Sequence, residues 1–104
     1  MNIYELQERP PQQLERLLII WEASVRATHH FLSDAEVKQI KSYVPQALQN
    51  VSHLIVAGKA DEWIGFMGTE QNRLEMLFLS PAERGKGIGK QLVQSGYSST
   101  ESKW

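Results

Sequence analysis

Between Pro10 and Val25 the apolar residues Leu14, Leu17, Leu18, Trp21 and Val25 recur at spacings of three and four, with Glu15, Arg16 and Glu22 between them. That period predicts an amphipathic helix with one buried face, and Pro10 or Pro11 suits its first turn, where proline's missing amide costs nothing. After a loop around residues 27–31, the run "SDAE" at residues 33–36 has the spacing of a capping box. The Ser33 hydroxyl can accept from the third helical amide while Glu36 reaches back. A second helix is expected from there, burying Val37, Ile40 and Val44. Pro45 should kink or end it, because proline lacks the amide donor and crowds the preceding turn.

The period then changes. "HLIVAG" at residues 53–58 is a short apolar run, and "KADEWIGFMG" at residues 59–68 has a polar head that reads as a turn and a body that reads as a strand. Two strands so closely joined imply an antiparallel hairpin. "TEQNR" supplies another turn, and "LEMLFL" at residues 74–79 is a third apolar run, stopped by Pro81, whose locked φ and missing donor end a ladder. In a regular strand Glu75 shares a face with Leu77 and Leu79, while Met76 and Phe78 point the other way. A last helix after Gly87 has Ile88, Leu92 and Val93 for an inner face and loses its pattern at Gly96. Trp21 and Trp63 have periodic apolar neighbours and read as core; Trp104 has no explanation in the pattern. The order helix, helix, three strands, glycine turn, helix indicates α+β architecture with an antiparallel meander rather than alternating parallel units.

Composition narrows this further. A chain of 104 residues has room for one domain, read as residues 1–95 followed by a polar tail over residues 96–104. No stretch approaches the roughly 20 consecutive apolar residues of a membrane helix. Eleven basic against twelve acidic side chains leave no overall field to draw in nucleic acid or an anionic membrane, so any anion site must be local. Without cysteine there are no disulfides, thiolate metal sites or cysteine nucleophile. The amino-terminal residues lack a basic segment followed by an apolar one, so a secretory signal is not supported and a cytoplasmic location is the default. Adjacent His29 and His30, with no third ligand at a recognisable spacing, do not make a metal site.

The local anion site is legible in "FLSPAERGKGIGKQL", residues 78–92. Gly85, Gly87 and Gly89 alternate with Lys86 and Ile88 between a strand and a helix. Free backbone amides at the positive end of a helix, approached without side chains in the way, bind phosphate. Arg84, Lys86 and Lys90 add charge in the same seven residues. A nucleotide-binding P-loop is excluded because Gly89-Lys90 is followed by Gln91, and a dinucleotide fingerprint is excluded because the glycines run G-x-G-x-G with no surrounding βαβ unit. A plain turn tolerant of positive φ remains as the alternative.

Arg84, Gly87 and Gly89, preceded by "LFLSP" and followed by a helix, resemble the acetyl-CoA signature of the GNAT N-acetyltransferases, and the "SVRATHHFL" segment at residues 24–32 is similar to that of small bacterial members. The resemblance implies acetyl-CoA or CoA as cofactor and a primary amine as acceptor. It implies that the backbone of Leu77, Phe78 and Leu79 holds the pantetheine arm, and that the loop residues Arg84, Gly85, Lys86, Gly87, Ile88, Gly89 and Lys90 hold the pyrophosphate. It also implies direct attack of the amine on the thioester, with a strand amide polarising the carbonyl and a general base removing the proton. Glu75 is a candidate base, or else a solvated glutamate. His29 and His30 fall where the family places its acceptor, or else they occupy a surface loop.

Members of the family continue beyond this helix into further strands and a helix bearing cofactor and general-acid residues, which the run "SGYSSTESKW" does not resemble. Tyr97 follows too closely on the signature to be carried over as that acid. Three expectations follow. The strand at residues 74–79 is left uncovered and invites a homodimer or a complementing segment. The leading reading is an N-acetyltransferase, against a truncated and catalytically silent CoA-binding remnant or interaction module. A ligand-free helical adaptor would make the loop cations accidental.

Overall fold

The computed structural model describes residues 1–71 and 73–100, with side chains described as far as Ser95. The chain order is β1 (Asn2–Glu5), α1 (Pro11–Thr28), α2 (Asp34–Lys41), α3 (Val44–Asn50), β2 (His53–Lys59), β3 (Glu62–Glu70), β4 (Arg73–Leu79), a single 3-10 turn (Pro81–Glu83) and α4 (Ile88–Thr100). All strand pairings are antiparallel in the order β1-β2-β3-β4. Among the described residues no helix is long and apolar enough to cross a membrane.

Two apolar clusters explain the layering. Leu14, Leu17, Ile20, Trp21 and Val25 of α1, with Val37 of α2 and Leu48 of α3, pack against Leu54, Val56 and Phe66 on one face of the sheet. Ile88 and Leu92 of α4 pack against Ile55, Ala57, Ile64 and Met67 on the other. The meander thus lies between α1–α3 and α4. Leu18 is only half-buried, so the buried face of α1 runs through Ile20 and Ser24 instead.

Expectation and structure differ at six places. The sheet has a fourth strand, β1, paired from Asn2↔Gly58 to Glu5↔Ile55. With Ile3 its sole inward apolar residue, four residues carry too little periodicity to read. The expected second helix is two: α2 keeps the capping box, Glu36 N–H donating to Ser33 Oγ at 3.1 Å and Ser33 N–H to Glu36 Oε1 at 2.8 Å. It stops at Lys41, and Pro45 enters the first turn of α3, where no donor is needed. Ile40, expected to be buried, is 41% exposed. Trp63 is half-buried rather than core: the Arg16 guanidinium lies 3.9 Å from its ring centre, and its indole N–H donates to the Tyr4 hydroxyl at 2.8 Å. The backbone of α4 continues past Gly96 to Thr100, where a tail was expected; Trp104 lies outside the described residues.

The sixth difference concerns strand phase. Gly68 pairs with Met76 and Thr69 with Leu74, so Glu75 is a bulge residue skipped by the ladder. Strict alternation therefore fails at Glu75 although it holds for Leu77 and Leu79 toward α4 and for Met76 and Phe78 toward α1. A second bulge at Ile64 lets Trp63 and Phe66, three apart, face the same side.

Candidate functional site at the glycine turn

The end of β4 is tied to its neighbour before the chain turns. Ser80 N–H donates to Ile64 O at 2.8 Å, and Glu83 N–H and Arg84 N–H donate to Ser80 O and Pro81 O, at 2.9 and 3.3 Å, closing the 3-10 turn. Arg84 then reaches across to α1. Its Nη2 donates to both the carbonyl oxygen and the hydroxyl oxygen of Ser24, each at 3.2 Å. Ser24 is buried on the otherwise apolar face of α1.

Beyond Arg84 the loop leaves the protein surface. Gly85 and Gly87 have φ of 77° and 78°, and a Cβ built on either meets nothing within 4 Å. Left-handed backbone beside open space is what a close-approaching ligand requires and what a side chain resists. Gln91 N–H donates to Gly87 O at 3.1 Å, which makes Gly87 the residue that opens α4. The amides of Ile88, Gly89 and Lys90 consequently have no acceptor within the helix. No acidic side chain occupies that first turn. Lys90 is exposed and has no ion pair among the described residues, while Lys86 lies 3.4 Å from Glu83. The helix end is an electropositive cradle made chiefly of backbone.

The cradle and β4 form one continuous surface. Ile88 is buried and anchors the start of α4. Gly89 brings that first turn against β4: a Cβ there would lie 3.7 Å from both Leu77 Cδ2 and Leu79 Cδ1. Phe78 points away, its ring centre 5.6 Å from that of Phe66. Since β4 pairs only with β3 among the described residues, one backbone edge of Leu77, Phe78 and Leu79 runs open toward the glycine turn.

The remaining candidates are spread out. His29 and His30 are both exposed and follow α1. His29 N–H caps the helix on Val25 O at 2.7 Å, and its Nδ1 lies 2.9 Å from the Thr28 hydroxyl. They stand about 7.5–9 Å of helix rise beyond Ser24, hence beyond the Arg84 tie. Glu75 is exposed at the far end of β4, roughly 13 Å of strand from Leu79. It lines an open hollow of about 220 Å³ with Ala47, Asn50, Val51, Glu70 and Met76. Glu70 is held below the usual carboxylate value by the hydroxyl of Ser52 and then by its amide. Among the described residues no group of three potential ligands could hold a metal ion. Sequence reasoning missed Ser24, although the signal was present: a hydroxyl in helical register with Leu14, Leu17 and Trp21, where the pattern calls for an apolar residue.

Comparison with known proteins identifies the family and the fold. Residues 10–103 match the family model described as "Acetyltransferase (GNAT) domain". The chain is 39% identical over 80 residues to the peptidyl-lysine N-acetyltransferase YjaB of Salmonella typhimurium, covering 77% of this chain and 55% of that protein. The solution structure of the apo form of YjaB from Escherichia coli matches with a TM-score of 0.77 at 33% identity, over 96% of this chain and 67% of that one. A GNAT acetyltransferase from Brucella melitensis, solved with acetyl-CoA, shares the fold with a TM-score of 0.68 at 20% identity, over 97% of this chain and 70% of that one. The chain spans 55% and 57% of the length of the curated relatives it matches.

Proposed function

The chain belongs to the GNAT acetyltransferase family, and from that membership we propose that it binds acetyl-CoA at the glycine turn and serves transfer of the acetyl group to a primary amine, the side chain of a peptidyl lysine. The observation that carries the reading is the pairing of unfilled amides at the start of α4 with open backbone at Gly85 and Gly87.

Amides of residues 85–90 would hold the pyrophosphate, with Lys86 and Lys90 supplying charge. The free edge of β4 from Leu77 to Leu79 would take the pantetheine arm as an added strand takes a neighbour. When bound, the thioester supplies an activated acetyl carbonyl that an amine can attack directly. On the protein side, a strand amide would donate to that carbonyl, and Glu75, or a histidine of the pair His29 and His30, would accept the amine proton. The attack would form the amide N–C bond and break the thioester C–S bond, the amine proton going to that base and the thiolate taking a proton from water. A cytoplasmic setting belongs to the same reading, with a second copy covering the β4 edge while no CoA occupies it.

Titrating CoA and acetyl-CoA by calorimetry, then following thiol release with lysine-containing peptides, tests the proposal. Saturable binding with peptide-dependent thiol release is the expected result; no binding overturns it. A second reading, a CoA-binding module without turnover, draws on the separation of Glu75 from the glycine turn and on the chain's span of about half its relatives' length. Binding without thiol release would favour it.

A further inference from the structure

We propose that Ser24 of α1 is a positioning residue for the cofactor loop: by gripping the Arg84 guanidinium at the last fixed point before Gly85, it presets the backbone that Gly85 and Gly87 would otherwise leave free. The inference rests on the reading of that loop as the CoA site. Three observations carry it. Ser24 is 6% exposed, one of only two polar side chains among the buried residues described, and it stands at a core position of an amphipathic helix. A buried hydroxyl persists where it has a partner, and Arg84 is that partner, bonding the hydroxyl and the Ser24 carbonyl through one nitrogen. The carbonyl also accepts from the Thr28 hydroxyl at 2.7 Å, so the oxygen that receives Arg84 is itself held in place.

The position of the tie along the chain gives it its function. On one side of Arg84 the loop is fixed by Ser80 N–H on Ile64 O; on the other stand two glycines in left-handed backbone with nothing packed on them. Without the grip, the stretch between the 3-10 turn and Gly87 would lose its tie to α1, and its amides would have to be ordered when the pyrophosphate arrives, which weakens binding. The guanidinium is also not used up: Nε and Nη1 make no hydrogen bond among the described residues, so the same side chain can hold α1 and still face an anion. Because His29 and His30 follow directly on α1, the grip further links the loop to the segment that flanks it.

The test uses Ser24→Ala, Ser24→Thr and Arg84→Lys in the full chain. Ser24→Ala should weaken CoA binding about tenfold with little change in melting temperature, and Ser24→Thr, which keeps the hydroxyl, should restore most of it. Arg84→Lys should weaken binding at least as much, since a lysine has a single side-chain nitrogen and cannot hold Ser24 while also facing an anion. The double variant Ser24→Ala/Arg84→Lys should bind no worse than Arg84→Lys alone, the mark of two groups acting as one. A readout without cofactor separates this inference from the assignment of the site. Backbone order parameters of residues 85–87 in the free chain should fall in Ser24→Ala and recover in Ser24→Thr. Unchanged loop order and unchanged affinity in Ser24→Ala would overturn the proposal. Loss of loop order in a chain that binds no CoA would uphold the grip while removing the cofactor reading.

Discussion

At Gly87 the backbone conformation and the empty space above it make opposite demands on a substitution. A φ of 78° costs an L-residue on the order of 1–2 kcal/mol, and more when it is β-branched. Gly87→Val should therefore raise the CoA dissociation constant by roughly a hundredfold or more, by twisting the first amides of α4 out of line and crowding the pyrophosphate. Its circular dichroism should stay native, because nothing packs on the site. Gly89 is the control two residues on. Its φ is not positive, and a Cβ would meet Leu77 and Leu79 at an ordinary 3.7 Å, so Gly89→Ala should gain up to about 0.5–1 kcal/mol of helix stability. Affinity should stay within about threefold. Equal damage from both substitutions, measured by calorimetry and thermal melting, would mean that the loop does not bind as assigned. Sequence spacing alone cannot rank these glycines, since all three belong to one alternating run and only the dihedral angles tell them apart.

Helices and their ends set the next scale. Arg9 donates to Leu48 O and Val51 O, both at 2.7 Å, and to Gln49 O at 3.0 Å, satisfying carbonyls at the carboxyl end of the short helix α3 and of Val51 just beyond it. Burial lowers its pKa despite the opposing pull of Glu5, yet it stays charged at any ordinary pH. Arg9→Ala leaves those carbonyls unmatched and should cost about 2 kcal/mol in denaturant unfolding. The α1–α2 junction responds to pH instead. The Glu22 carboxyl is held below its ordinary value of 4.5 by hydrogen bonds from Lys41 and Arg26, Asp34 is lowered by Arg26 and Lys38, and Glu36 by the amide and hydroxyl of Ser33. Groups with depressed folded values stabilise the fold above the unfolded pKa, and that stability is lost as pH falls through the folded one. Stability should accordingly be flat near neutrality and decline below about pH 4.5. Glu22→Gln should shallow that decline; an identical acid profile for the variant would exclude Glu22 as a source of it. This scale was the most legible in sequence. The spacing of Leu14, Leu17, Trp21 and Val25 gave α1, "SDAE" gave the α2 cap, and the proline after Ser80 gave the end of β4. What escaped was set by partners distant in sequence: β1 exists because β2 offers an edge, and the bulge at Glu75 because β3 and β4 must keep register across Gly68 and Thr69.

For the molecule as a whole, the unsettled surface is the open edge of β4. Its backbone pairs with β3 alone among the described residues, and Leu74 beside it is 40% exposed. An edge of this kind, apolar on its flank, recruits another strand unless something blocks it. On the proposed reading the CoA arm and a second protein strand would compete for the same donors and acceptors from Leu77 to Leu79, and assembly and cofactor binding would be coupled through mass action. Sedimentation should therefore show a monomer–dimer equilibrium for the free chain, shifted toward monomer when CoA is present. Placing a charge on the edge with Leu74→Lys should weaken the dimer by about tenfold or more while leaving CoA affinity for the monomer intact, since Leu74 lies outside the stretch assigned to the pantetheine arm. A well-folded monomer at every concentration, with or without CoA, would show that β4 needs no strand to cover it. A dimer indifferent to both CoA and Leu74→Lys would place the self-association elsewhere on the surface.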